Sequence, residues 1–233
     1  FALPVQAHAG LPQSASVPGG VALVPLGSAA TSRPQGWLGN QPVLVTSDRD
    51  QWVAVVGLSL DTKPGAHELS VKMGDEAITA SFMVKHKKYP EQRLILKDKS
   101  KVELSPEDEA RAVREIAEIK ALKLHWRDAQ ETDLSFIVPA EGRLASRFGL
   151  RRFFNGEARA PHAGLDVAVD SGTPVKASAP GQVLAIGDYF FNGKTVFVDH
   201  GNGVITMYCH LDRIDVQSGV TVSKGQLLGL SGM

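Results

Sequence analysis

Apolar residues along this chain recur mainly in short runs broken by Gly, Pro, Asn and Asp, and only one stretch follows helical spacing. Runs over residues 21–26, 42–46, 52–60, 67–73 and 77–85 read as β-strands, rich in residues that suit a pleated, half-buried surface. Turn signals fall between them: D-T-K-P-G from Asp61 separates the third run from the fourth, and Gly74-Asp75 closes a hairpin before the fifth. Strands at this spacing predict a small β-sandwich-like accessory domain over residues 20–88. Residues 1–19 contain a Pro-, Ser- and Gly-rich stretch without periodicity and an A-H-A at positions 7–9, the pattern of a linker or a signal-peptide remnant.

The pattern changes after the fifth run. Residues 85–101 carry seven Lys or Arg against Glu91 and Asp98, and this charge run reads as a solvated linker. Within a linking region over 89–135, Ser105-Pro106-Glu107-Asp108 supplies an N-cap, a proline at the first helical position and acidic residues at the positive end of a helix dipole. Val113, Ile116, Ala117, Lys120 and Leu124 then recur at helical spacing, which predicts a helix over about 105–127 packed through that face. From residue 136 onward the short runs return, at 175–177, 181–186, 195–199, 204–208 and 226–230, with closely spaced glycines and no amphipathic helix. The chain is therefore expected to be mainly β, with one linking helix and a C-terminal antiparallel β domain, over residues 136–233, that carries an open groove.

Composition adds bounds. The 233 residues suffice for two small domains, and 43% hydrophobic with 21% charged residues is ordinary for a globular chain. Twenty-five basic residues balance 25 acidic ones, so no global field favours nucleic acid, and a polymeric partner must be recognised locally. No apolar run approaches the roughly 18 residues of a transmembrane segment. The single cysteine, Cys209, excludes an intramolecular disulfide. Nothing in these figures sets an oligomeric state.

Candidate chemistry concentrates in P-H-A-G-L-D, residues 161–166, which sets His162 and Asp166 four apart. A neutral imidazole and a carboxylate are both donors for tetrahedral zinc. Around them stand, in order, S-R-F-G-L-R-R from Ser146, G-T-P-V-K-A from Gly172, G-Q-V from Gly181, V-D-H-G-N-G from Val198 and M-Y-C-H-L from Met207. Over residues 136–233 this series resembles the lysostaphin/LytM-type zinc metalloendopeptidases, peptidoglycan hydrolases of the bacterial cell wall. More loosely, residues 20–128 resemble the β domain and helix that precede the catalytic domain in Gram-negative members. The resemblance implies Zn2+ as cofactor, His162 and Asp166 as metal ligands and His210 as a catalytic histidine. It further implies a groove rimmed by Arg151, Arg152 and Asn155, with peptidoglycan stem peptides and cross-bridges as partners. An exported, periplasmic or envelope-associated location follows from that substrate. His200, in a glycine-rich turn, is assigned a structural role, and Cys209 is expected in the core, on the strand face opposite His210.

One departure stands against these matches. The family's third zinc ligand and second catalytic histidine lie in an H-x-H motif soon after the segment that reads V-S-K-G-Q-L-L-G-L-S-G here, and the 233 residues contain no H-x-H. The expectation is a peptidase domain truncated at its C-terminus, with the chain as written inactive or nearly so. The rival class is a catalytically degenerate cell-wall-binding or hydrolase-activating protein. A biotinyl/lipoyl-type carrier also shares the G-T-P-V-K-A and G-Q-V pattern, but it lacks a suitably flanked lysine and leaves His162 and Asp166 without purpose.

Overall fold

The computed structural model describes residues 10–95 and 104–232. The described residues are mainly β with a single α-helix, and the chain divides into two compact units. The first comprises Phe1–His86, Trp126–Phe136 and His200–Val204; the second comprises Lys87–His125, Ile137–Asp199 and Ile205–Met233.

In the first unit, strands β1 (Val21–Ser28), β2 (Gln35–Leu38), β3 (Gln41–Asp48), β4 (Gln51–Gly57), β5 (Gly65–Met73) and β6 (Glu76–Val84) form one antiparallel sheet in the order β1-β4-β3-β2-β5-β6. The sheet curls so that one face closes on itself. Ala22, Val24 and Leu26 alternate inward along β1 and pack in one cluster with Val45, Val56, Leu69, Val71 and Val84. Strand β2 has no apolar alternation to announce it, because its second residue is Gly36. A β-carbon there would come within 3.0 Å of the Val43 side chain, so close strand packing accounts for the glycine. The stretch read as a linker joins the sheet at Ala15, which bridges Val21, while Ser16 accepts the amide of Lys85.

The second unit is built on another six-stranded antiparallel sheet. Strands β12 (Pro174–Lys176), β13 (Gly181–Tyr189), β14 (Gly193–Asp199), β15 (Ile205–Ile214), β16 (Thr221–Val222) and β17 (Leu227–Ser231) take the order β12-β17-β15-β14-β13-β16. Val196, Phe197 and Val198 on β14 are all fully buried, so this central strand is covered on both faces, which explains its continuous apolar run. Tyr208 buries its ring in the same core, and its hydroxyl is satisfied by the Ser178 amide at 2.7 Å and the Thr206 hydroxyl at 3.0 Å.

Smaller strands stand beside that sheet. β8 (Arg143–Ser146) pairs with β11 (Asp166–Ala168), and β9 (Arg151–Phe154) pairs with β10 (Glu157–Ala158) and, in parallel, with β7 (Glu91–Leu94). Strand β7 corrects the reading of residues 85–101 as a solvated linker, as far as the described residues go. Arg151 donates its amide to the Pro90 carbonyl, Asn155 donates to Leu94, and the Arg93 guanidinium lies 4.2 Å from the Phe153 ring centre. All four β7 side chains are exposed, so the strand is held by backbone pairing and left no apolar signature in the sequence.

Helix α1 (Pro106–Lys123) begins as its sequence indicates, with the Ser105 side chain accepting the Asp108 amide at 3.1 Å and Pro106 in the first turn. Its packed face is not the expected one. Val113 is 61% exposed and Ile116 55%, whereas Ala112 is 4% exposed and Glu115, Ile119 and Leu122 are half-buried. Polar side chains turn the helix the other way. Arg111 donates to the Asp188 carbonyl, Glu115 accepts the Phe190 amide and Glu118 accepts the Tyr189 hydroxyl, so the charged stripe faces the β13–β14 hairpin.

Candidate metal and catalytic site

His162 sits in the loop that leads into β11, and its backbone is fixed by two hydrogen bonds. Its amide donates to the Leu150 carbonyl at 2.9 Å, and its carbonyl accepts the Gly149 amide at 2.7 Å. Gly149 has φ +82°, and a β-carbon there would fall 2.1 Å from the Tyr89 ring, so only glycine permits this turn. Tyr89, in turn, meets Phe148 edge-on with ring centres 6.3 Å apart. The segment preceding β7 is thus part of the support beneath the histidine loop.

Asp166 opens β11 opposite Ser146 of β8, beside a register shift in that pair. The pairing places the carboxylate against the imidazole, with His162 Nε2 3.1 Å from Asp166 Oδ1. His162 Nδ1 faces oxygen acceptors instead, the Arg147 carbonyl at 3.2 Å and the Ser146 hydroxyl at 3.3 Å. The acceptors at Nδ1 suit a proton on that nitrogen, the tautomer that would free Nε2 to ligate a metal beside Asp166. Two donors of a tetrahedral zinc site, each about 2.05 Å from the ion, stand roughly 3.3 Å apart. The observed separation matches that bite, so the residues present fit two corners of such a site. Among the described residues, no three His, Cys, Asp or Glu side chains are grouped to hold a metal ion.

The arginines divide. Arg152 donates to the Ser146 hydroxyl at 3.3 Å and stands 4.0 Å from Asp166 Oδ2, which ties it to the same cluster. Arg151 pairs instead with Glu91 on β7, at 2.9 Å. Asn155, with φ +52°, and Gly156, with φ +89°, form the two-residue turn between β9 and β10, a conformation that Asn-Gly adopts readily.

His210 lies on β15 where the ladder is interrupted. Lys194 faces Leu211 and Val196 faces Tyr208, so Cys209 and His210 together oppose Thr195 in a β-bulge. His210 is exposed, has φ +56°, donates its amide to Asn192 at 2.8 Å and accepts the Gly232 amide at 2.7 Å. The bulge breaks the strict alternation expected for this strand. Cys209 is half-buried, with its Sγ 3.6 Å from the Asn192 side-chain nitrogen. Burial pushes its thiol pKa up, and the charge of Asp166 adds to the rise. His200 is buried, with its ring centre 5.6 Å from that of Phe136.

The sequence pointed to His162, Asp166, His210, Arg151, Arg152 and Asn155, but it gave no role to Ser146 or Tyr89. Ser146 was visible as the first residue of S-R-F-G. Tyr89 had no signal of its own, since its role depends on a glycine 60 positions later.

The second unit thus carries, on and beside its curled antiparallel sheet, a His–carboxylate pair and a histidine on a bulged strand. Residues 160–233 match the profile of peptidase family M23, and residues 14–87 match the M23 N-terminal domain. A crystal structure of a chain assigned to peptidase M23 from Pseudomonas aeruginosa is similar at 41% identity and a TM-score of 0.78, covering 94% of this chain and 84% of that one. The chain belongs to peptidase family M23. Among curated relatives, the peptidoglycan DD-endopeptidase ShyA of Vibrio cholerae serotype O1 is 42% identical over 96 residues, 41% of this chain and 22% of that protein. The DD-carboxypeptidase/endopeptidase Mpg of Neisseria meningitidis serogroup B is 37% identical over 90 residues, 39% of this chain and 21% of that protein. The matched segments thus span about a fifth of the length of these relatives.

Proposed function

We propose that this protein is a zinc-dependent endopeptidase of the cell envelope that hydrolyses peptide cross-links in peptidoglycan. The observation that carries the reading is the His162–Asp166 pair, whose Nε2 and Oδ1 converge at 3.1 Å while Nδ1 is engaged by oxygen acceptors. Family membership and the DD-endopeptidase names of the relatives support peptide cross-links as the substrate class. An exported location, in the periplasm or envelope, goes with that substrate.

His162 and Asp166 hold the metal in this reading. When bound, zinc supplies Lewis acidity for attack of water on the scissile carbonyl. Ser146 and the Arg147 carbonyl keep the His162 tautomer, and Arg152 steadies the second oxygen of Asp166. His210 is assigned to orient water or to stabilise the developing oxyanion, the role for which an exposed imidazole on a rigid strand is suited. Arg151 and Asn155 contribute to the rim that meets stem peptides. With two donors and no H-x-H in its 233 residues, this chain is expected to bind zinc weakly and to turn over slowly.

The test is digestion of purified peptidoglycan by the purified protein, with products separated by mass spectrometry. The reading requires opened peptide cross-links, loss of that activity with a chelator and its return with Zn2+. Cleavage confined to glycan bonds would refute it, and wall binding without any cleavage would indicate the degenerate alternative.

A further inference from the structure

The charged stripe of helix α1 connects with the backbone that carries His210. Glu115 accepts the Phe190 amide at 2.5 Å through one carboxylate oxygen and Arg111 Nε at 2.7 Å through the other. Arg111 also donates to the Asp188 carbonyl at 3.1 Å, and its guanidinium lies 5.8 Å from the Phe190 ring centre. One turn further along, Glu118 accepts the Tyr189 hydroxyl at 2.8 Å. Three consecutive residues at the end of β13 are thus gripped by one face of a helix that lies outside the six-stranded sheet.

The hairpin tip continues directly to the bulge. The Asn192 carbonyl accepts the His210 amide at 2.8 Å and the Thr195 hydroxyl at 3.3 Å. Gly193 lies against the histidine, such that a β-carbon there would come 3.7 Å from His210 Cα and 3.9 Å from its Nδ1. His210 itself has a left-handed backbone, a region that carries a cost for a non-glycine residue and that its surroundings support here. Those surroundings are the Asn192 carbonyl on one side and the Gly232 amide on the other.

We infer that Glu115 is a positioning residue for His210. Its carboxylate holds the Phe190 amide, the held tip presents the Asn192 carbonyl, and that carbonyl sets the His210 backbone. A hydrogen bond from a backbone amide to an ionised carboxylate is among the stronger ones available at a partly buried site, and Arg111 four residues earlier on the helix fixes the carboxylate's orientation. The catalytic importance of His210 rests on the proposed endopeptidase function, but the structural coupling does not.

The experiment uses the isotope-labelled 233-residue chain and reads amide hydrogen exchange at Phe190 and His210 together with the His210 imidazole resonance. In Glu115→Ala, protection of both amides is expected to fall by about tenfold, with a shifted His210 ring signal and an unchanged global unfolding midpoint. Glu115→Gln should restore most of the protection, because the carboxamide oxygen still accepts from Phe190. Glu109→Ala, on the same helix, should leave all three readouts unchanged. If Glu115→Ala releases the whole helix, Glu115→Asp decides, since it keeps the charge beside Arg111 but is one methylene short of Phe190. Loss of protection at Phe190 with an unaltered His210 amide and ring, in either variant, would overturn the inference. Absent or chelator-insensitive cleavage of peptidoglycan would remove the endopeptidase reading and leave these measurements standing.

Discussion

The imidazole of His162 owes its orientation to backbone atoms more than to other side chains. Its ring is set by the Arg147 carbonyl and its main chain by the Gly149–Leu150 turn, so the turn is as important to the site as the ligand. Gly149→Ala is expected to destabilise the second unit by about 2–4 kcal/mol, combining a left-handed alanine with a clash against Tyr89. Denaturant unfolding measures this, and a change within about 0.5 kcal/mol would mean that the turn relaxes freely. Asp166→Asn retains shape but removes the negative charge that a dication needs. Zinc affinity, followed by competition with a chromophoric chelator, should fall at least about tenfold, and an unchanged affinity would place the metal elsewhere. At this scale the sequence marked the candidate residues by type, the H-x-x-x-D pair as proposed metal donors and the histidine of M-Y-C-H-L as a proposed catalytic group, and the structure brings His162 and Asp166 to 3.1 Å. The left-handed backbone of His210 was not legible in the sequence, since it arises from the ladder slip opposite Thr195.

Among the elements, helix α1 shows how charge can override apolar periodicity. Val113 and Ile116 formed the stripe that suggested a packed face, yet Ala112 and Glu115 turn inward because Phe190, Tyr189 and Asp188 offer hydrogen-bond partners that methyl groups cannot use. Burying small Ala112 lets the helix approach closely. Glu115 also makes this docking sensitive to acid. Its carboxyl pKa is lowered, first by the Phe190 amide and then by Arg111, with Arg114 on the same helix contributing and partial burial opposing. Asp188 and Glu118 are the other charged groups near this contact. A folded-state pKa below the unfolded one means that the unfolded chain takes up the proton first. The contribution is therefore complete above the ordinary glutamate value of about 4.3 and is lost as pH falls through the lower folded value. Intrinsic-rate-corrected exchange at Phe190 should be flat above about pH 5 and rise below about pH 4, while Glu115→Gln should show no such rise. Strand β7 makes a related point, for it is held by pairing to residues 60 positions away and carries no apolar alternation.

For the whole molecule, stability and the candidate site draw on different residues. The two hydrophobic clusters, around Val56 and Leu69 in one unit and Val196 and Val198 in the other, contain neither His162 nor Asp166. Chelator treatment should accordingly shift the thermal midpoint by no more than about 2 °C, because a weakly held ion adds little to the folded state. Calorimetry with and without chelator decides, and a drop of about 10 °C would assign the metal a structural role. By itself the sequence determined the β-rich class, the helix start at Ser105, the hairpin at Gly74 and the closeness of His162 to Asp166, all of which are encoded by side-chain chemistry within a few residues. Only the tertiary structure decided which face of α1 packs, that β7 joins β9, that Arg152 serves Asp166 while Arg151 serves Glu91, and that His210 stands on a bulge. Each of those outcomes depends on partners distant along the chain, where local propensity is silent and hydrogen-bond satisfaction makes the choice.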